Sequence, residues 1–107
     1  MVHVPSLPAR ERLVLAELSG VAGRYGTGVD RDVDRDQAVT AVRAVTDDPV
    51  LLGIGAGTAM ADPLGISGPT VQLLAAAGAD MDVAAQHAAE VRARLERQGV
   101  RYDRPPP

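Results

Sequence analysis

The sequence predicts an all-α fold, a single domain built as a compact array of about five short helices. Apolar residues near both ends of the chain recur at the three- and four-residue spacing of an amphipathic helix. Aspartate, proline and glycine residues interrupt the chain at intervals that suit short helices. Residues 49–79 are mostly glycine, alanine and small aliphatic residues, and Asp62 is their one charged residue. Such a segment must be buried, so we expect it at the centre of the fold.

The first helix is predicted to begin after Ser6, with Pro8 in its first turn, and to end near Tyr25. Its inward face is formed by apolar residues at helical spacing, namely Leu7, Val14, Leu18, Val21 and Tyr25, flanked by Leu15 and Ala22. Asp34 followed by Gln37 is a capping-box pattern and predicts a second helix over about residues 35–46. Residues 38, 39, 42 and 45 of that helix are apolar and should face inward.

The third helix is predicted over residues 49–61, because Asp48 can cap it and Pro49 can occupy its first turn. A turn rich in glycine and proline follows, and a fourth helix over residues 69–77 should end at Gly78. Asp80 or Asp82 caps the fifth helix, which we expect over residues 82–98. Residues 1–5 and 100–107 are predicted to be flexible tails.

Composition limits the functional classes that the chain can belong to. It has no Phe, Trp or Cys, so its core consists of small aliphatic side chains and gains stability from many close contacts or from a second copy of the chain. A net charge of −3 argues against a protein that mainly coats phosphates. The amino terminus does not resemble a secretory signal, and the longest apolar run, residues 49–61, is too short to span a bilayer. We therefore expect a cytoplasmic protein without a membrane segment.

Two sets of small apolar residues are candidates for helix packing or for an interface. Gly53, Gly57 and Ala61 lie four residues apart and form a stripe that lets another helix approach closely. The fifth helix carries a narrow apolar seam composed of Ala84, Ala88, Val91 and Leu95. A phosphate-binding interpretation of the glycine-rich segment is weaker, since no alternation of strands and helices surrounds it.

These features favour a small non-enzymatic protein–protein interaction module that self-associates as a homo-oligomer. The shortage of bulky core residues and the narrow seam of the fifth helix indicate that another helix, or another copy, covers these surfaces. No cofactor is expected. A carrier of a small ligand is a further class, because small side chains could leave an apolar cavity open, although the sequence specifies no ligand.

A helix-turn-helix regulator that binds DNA is the main alternative. The fourth helix, the turn at Gly78 and helix 82–98 have the layout of this motif, with the last helix entering the groove. Its arginines would contact phosphates, namely Arg92, Arg94, Arg97 and Arg101. Asp80, Asp82 and Glu90 would repel DNA, and for this reason nucleic acid is possible but not favoured as a partner.

Metal binding and catalysis are not predicted. Residues 30–36 carry alternating aspartates like a calcium loop, but the sixth position is Arg35 instead of glycine and the twelfth is Ala41 instead of a bidentate acid. His3 and His87 lie far apart in sequence and have no partner with catalytic or metal-ligand spacing. We expect His87 to lie at the flank of the apolar seam.

Overall fold

A computed structural model of the chain describes residues 9–26 and 34–99, and the predicted all-α fold is confirmed. These residues form five helices and no strand. The helices are α1 (Ala9–Gly26), α2 (Arg35–Val45), α3 (Pro49–Met60), α4 (Gly68–Ala76) and α5 (Met81–Arg97). The bounds of α2 to α5 agree with the predicted ones to within one residue. Ser6, Pro8 and the predicted tails at 1–5 and 100–107 lie outside the described residues.

Aspartates cap three of the four helices that follow α1, as predicted. The carboxylate of Asp34 accepts a hydrogen bond from the Gln37 N–H at 2.8 Å, and that of Asp48 accepts one from the Val50 N–H at 2.9 Å. Asp80, rather than Asp82, caps α5. Each carboxylate satisfies a backbone donor that the first helical turn leaves without a partner.

Glycines end two of the helices because they adopt backbone angles that other residues rarely adopt. Gly78, after α4, has φ +108°, and Gly99, after α5, has φ +91°. Both are in the left-handed region that is typical of a helix C-terminus. The guanidinium of Arg43 on α2 donates a hydrogen bond to the carbonyl of Ala77 at 3.0 Å, which ties α2 to the end of α4.

α3 lies at the centre of the arrangement, because it packs against α1, α4 and α5. α4 in turn contacts α1 and α2. α3 contains no charged residue, and its residues from Leu52 to Gly57 are buried apart from the half-buried Gly55. The middle of α3 is therefore buried as predicted, whereas the expectation of burial is wrong for the loop after α3, where Leu64 and Ile66 are exposed.

One hydrophobic cluster joins all five helices. Its largest fully buried apolar side chains are Leu18, Val42, Leu52 and Leu74, one from each of α1 to α4, and α5 contributes Ala84. On α1 the fully buried positions are Leu18 and Ala22, whereas Val21 and Tyr25 are only partly buried. Ala22, which was predicted only to flank the inward face of α1, is thus more deeply buried than the predicted Val21.

Candidate functional site

The contact between α3 and α5 is the tightest helix pairing for which the structure gives a direct measure. A Cβ atom added at Gly53 would lie 2.6 Å from the carbonyl oxygen of Asp80. One added at Gly57 would lie 2.6 Å from the carbonyl oxygen of Ala84. Real Cβ atoms essentially never approach backbone oxygens this closely, so these two glycines allow α5 to rest on the backbone of α3.

The residues singled out as packing or interface candidates largely meet each other within one chain. Gly53, Gly57 and Ala61 are buried on or just after α3. Ala84 and Ala88 are fully buried on α5, while Val91 and Leu95 are partly exposed. The small-residue stripe and the first half of the seam are therefore occupied by an intramolecular contact, and they are not free to pair with a second copy.

His87 lies in this contact, and the expectation that it flanks the seam is wrong. Its side chain is only 2% exposed, and its Cβ faces Gly57. Without a side chain at residue 57, α3 leaves room for the imidazole ring beneath α5. The two residues are far apart in the sequence, and for this reason the helical spacing of α5 alone did not place the histidine inside.

Thr58 is the hydrogen-bond partner of His87. The Thr58 hydroxyl donates to the carbonyl of Ile54 at 3.0 Å, and it lies 3.0 Å from Nε2 of the imidazole. The tautomer that satisfies both contacts of the hydroxyl has its proton on Nε2, which then donates to Thr58 Oγ1, and its lone pair on Nδ1. Nδ1 is buried and has no hydrogen-bond partner among the described residues. The ring is thus held as a neutral imidazole.

Burial lowers the pKa of His87 from its ordinary value, because the charged form would lose its hydration. The negative charge of Glu90 acts in the opposite direction, and the positive charge of Arg94 lowers the pKa further. Both of these groups belong to α5 itself, and α3 contributes no charged residue to the contact. Protonation of His87 would therefore place a charge between two packed helices, where the attraction of Glu90 offsets only part of the lost hydration.

The pair formed by Thr58 and His87 does not have the geometry of an activated nucleophile. A general base must accept the proton of the hydroxyl, but here that proton points to the Ile54 carbonyl. Within the described part of the chain, no third group binds Nδ1 to orient the imidazole. The arrangement therefore serves packing, and the expectation of a non-enzymatic protein stays a prediction.

The arginines proposed to contact phosphates have different surroundings. Arg92 donates a hydrogen bond to the carbonyl of Met60 at 2.6 Å, at the C-terminal end of α3. This contact satisfies a carbonyl that the helix leaves without a partner. Arg94 is partly buried beside His87, Arg97 is exposed, and Arg101 lies outside the described residues. These side chains do not form a single exposed basic stripe within the described residues.

The helix-turn-helix alternative requires that its two helices pack together as a unit. α4 packs against α1, α2 and α3, whereas the main partner of α5 is α3. Both helices are fully described, and they make no extensive contact with each other. DNA binding stays an untested prediction that this geometry does not favour.

A metal site is not formed by the residues that the structure describes, which include no group of three ligating side chains. Asp34 caps α2, and Asp36 accepts a hydrogen bond from Thr40 only through its backbone carbonyl. Asp30 and Asp32 lie outside the described residues.

The loop between α3 and α4 carries a feature that the sequence analysis missed. The carboxylate of Asp62 accepts hydrogen bonds from the N–H groups of Leu64 and Ile66 and from the hydroxyl of Ser67, at 3.0 to 3.1 Å. These bonds lower the pKa of Asp62, the bond from Leu64 most strongly. Leu64 and Ile66 are nevertheless 78% and 65% exposed. The sequence signal that could have indicated this loop was a pair of large aliphatic residues in a turn that follows Asp-Pro.

No helix among the described residues is both long enough and apolar enough to cross a membrane. The chain matches no protein-family model, no curated protein and no solved structure.

Proposed function

We propose that this chain is a non-enzymatic protein-interaction module that associates with a second copy of itself through the loop between α3 and α4. The observation that supports the proposal is the exposure of Leu64 and Ile66 on a loop whose backbone is held by Asp62. Single exposed apolar residues are common, but two on one rigid loop form a surface that gains free energy when it is covered.

The hydrogen bonds of Asp62 matter because ordering a loop during association costs conformational entropy. Here the backbone N–H groups of Leu64 and Ile66 and the hydroxyl of Ser67 already donate to one carboxylate before any partner binds. The entropy cost is thus met during folding, and more of the burial of the two aliphatic side chains contributes to affinity.

A second copy is the partner that the charges favour. Residues 63–67 carry no charge, and the carboxylate of Asp62 is occupied within its own loop. Two such loops can meet across a two-fold axis without repulsion, because an isologous interface places the same patch of each subunit against the other. The small core, which contains no Phe or Trp, would gain additional apolar burial from this contact.

The test is the oligomeric state of the full chain, measured by sedimentation velocity and light scattering over a wide concentration range. We expect a dimer whose dissociation constant rises at least about a hundredfold in the double variant Leu64→Asp and Ile66→Asp, since four carboxylates would then meet in an apolar contact. The matched control is Leu13→Asp on α1, where the leucine is 72% exposed but lies outside the loop. This variant should dimerise like the unmodified chain.

Two outcomes would overturn the proposal. A full chain that is monomeric at all accessible concentrations has no self-association to explain. A Leu13→Asp variant that dissociates as readily as the double variant would show that association is not located at the loop.

A cytoplasmic location is part of the same proposal. The chain has no cysteine that an oxidising compartment would convert into a disulfide, so its stability does not depend on the redox state of its surroundings.

A further inference from the structure

A half-open cavity of about 200 Å³ lies between α1, α3 and α4. Its apolar wall is formed by fully or largely buried side chains, namely Leu18, Ala22 and Leu74. Residues that carry a hydroxyl group form the rest of the lining, namely Ser19, Thr58, Ser67 and Thr70. The cavity shares no residue with the contact between α3 and α5 except Thr58, which borders both.

Small residues on two helices create this space. Gly23 of α1 and Ala59 of α3 line the cavity, and a Cβ added at Gly23 would meet no atom within 4 Å. At Gly55 the helices are close, because a Cβ there would lie 3.2 Å from Cδ2 of Leu18. The packing of Leu18 on Gly55 therefore closes one side of the cavity. Because Gly23 has no side chain, the space beside it stays unfilled.

The lining restricts the chemistry of an occupant. None of the described residues that line the cavity is charged, so an ion would lose hydration without gaining a counter-charge from them. The hydroxyls of Ser19 and Thr70 have no hydrogen-bond partner within the described part of the chain. Thr58 Oγ1 is already bonded to Ile54 and His87, but as an oxygen with two lone pairs it can accept one more hydrogen bond.

We infer that this cavity is a binding site for a small uncharged molecule that combines an apolar ring with a single hydroxyl group, about the size of phenol. An apolar cavity of about 150 Å³ in another protein accommodates benzene, so the volume here suffices for a ring with one substituent. The ring rests on Leu18 and Leu74, and its hydroxyl exchanges hydrogen bonds with Thr70 or Thr58. This binding does not depend on self-association, although Ser67 connects the cavity to the loop through Asp62.

The test is a titration of the full, ¹⁵N-labelled chain with phenol, followed by amide chemical shifts. We expect saturable shifts at the lining residues of α1, α3 and α4. Benzoate, which has a similar ring but a full negative charge, should bind at least tenfold more weakly. Toluene, which has the ring without the hydroxyl, should bind severalfold more weakly because the threonine hydroxyls then stay without a ligand partner.

Two glycines of α1 provide a matched pair of variants. Gly23→Leu fills the cavity from a position with open space and should weaken phenol binding at least tenfold. Gly20→Leu adds the same side chain three residues earlier, also in open space but outside the lining, and should leave the affinity unchanged. Thr70→Val removes one hydroxyl at nearly constant volume and should lower the phenol affinity at least threefold while leaving toluene binding unchanged.

The inference fails if the full chain gives no saturable shifts up to the solubility limit of phenol. It also fails if folded Gly23→Leu binds like the unmodified chain, or if benzoate binds as well as phenol. Should Gly23→Leu not fold, Gly23→Ala and Thr70→Val still decide between specific and unspecific binding. None of these results depends on the oligomeric state, so failure of this site and failure of the proposed dimer are distinguishable.

Discussion

Two helices of this protein contain pairs of glycines, and the pairs have opposite surroundings. In α3, Gly53 and Gly57 lie directly beneath the backbone of α5, where an added Cβ would come within 2.6 Å of a carbonyl oxygen. In α1, Gly20 and Gly23 have nothing within 4 Å of the position of an added Cβ. The same residue type is a packing requirement in one helix and a source of unused space in the other.

The spacing of small residues predicts a close approach of another helix only when the rest of their own helix must be buried. α3 has no charged side chain that would keep one face in water. α1 carries Arg10, Arg12, Glu17 and Arg24 around its glycines, so much of its surface stays hydrated. A glycine on a hydrated face weakens the helix without giving a neighbour access to its backbone.

The largest expected effect is at Gly57. In Gly57→Ala the new methyl group would lie 2.6 Å from the oxygen of Ala84 and 2.9 Å from Cβ of His87, so α5 must shift. Overpacking of this kind costs about 1–3 kcal/mol and more when backbone must move, which outweighs the helix propensity gained by alanine, about 1 kcal/mol. We expect a net loss of about 2 kcal/mol, or a melting temperature lower by about 8 °C, in urea and thermal unfolding.

Gly53→Ala should behave in the same way, because its methyl group meets the oxygen of Asp80. An unchanged or higher stability in either variant would contradict the close approach of α5. If both variants also stayed dimeric while losing stability, the stripe would act in folding and not in association.

The second expected effect is a pH dependence of stability that arises in the same contact between α3 and α5. Because the pKa of buried His87 is lowered, the unfolded chain binds a proton before the folded one does. The stabilisation is complete above about pH 6.5 and is lost as the pH falls towards the folded pKa. The free energy of unfolding should fall by up to about 1.4 kcal/mol per pH unit in that window.

The measurement is urea unfolding at pH values between 5 and 8, with His87→Leu as the control variant. That variant keeps His3 and all carboxylates, so subtracting its pH profile isolates the contribution of His87. Identical slopes in the two proteins below pH 6.5 would contradict the burial of a neutral imidazole at this position.

The smallest effect lies in α1 and has the opposite sign. Gly20→Ala should stabilise the protein by about 0.5–1 kcal/mol, because alanine has the higher helix propensity and its methyl group enters open space. Thermal unfolding at neutral pH measures this shift. A loss of stability would mean that the glycines of α1 also have a packing role, and the contrast between the two helices would disappear.

Much of the local structure could be predicted because its causes lie within a few residues. Asp34, Asp48 and Asp80 cap helices through hydrogen bonds that span two or three residues. Gly78 and Gly99 end helices because they tolerate positive φ. The stripe at Gly53 and Gly57 could also be recognised from its spacing, but the identity of its partner could not.

Burial and exposure in the candidate site could not be predicted where they depend on segments that are far apart in the sequence. His87 has the spacing of a flank residue on α5, and it became buried because Gly57 offers no side chain opposite it. Leu64 and Ile66 would be assigned to a core by hydrophobicity alone, yet Asp62 holds them on a loop that no other helix covers.

The helical class, the ends of four helices and the burial of the middle of α3 followed from the sequence, since capping, backbone angles and hydration act locally. The tertiary structure alone decided which glycines contact a neighbour, where the cavity lies and which histidine nitrogen is satisfied. Thr58 and His87 lie 29 residues apart in sequence. Contacts of this kind depend on the relative placement of whole helices, which no local pattern of residues specifies.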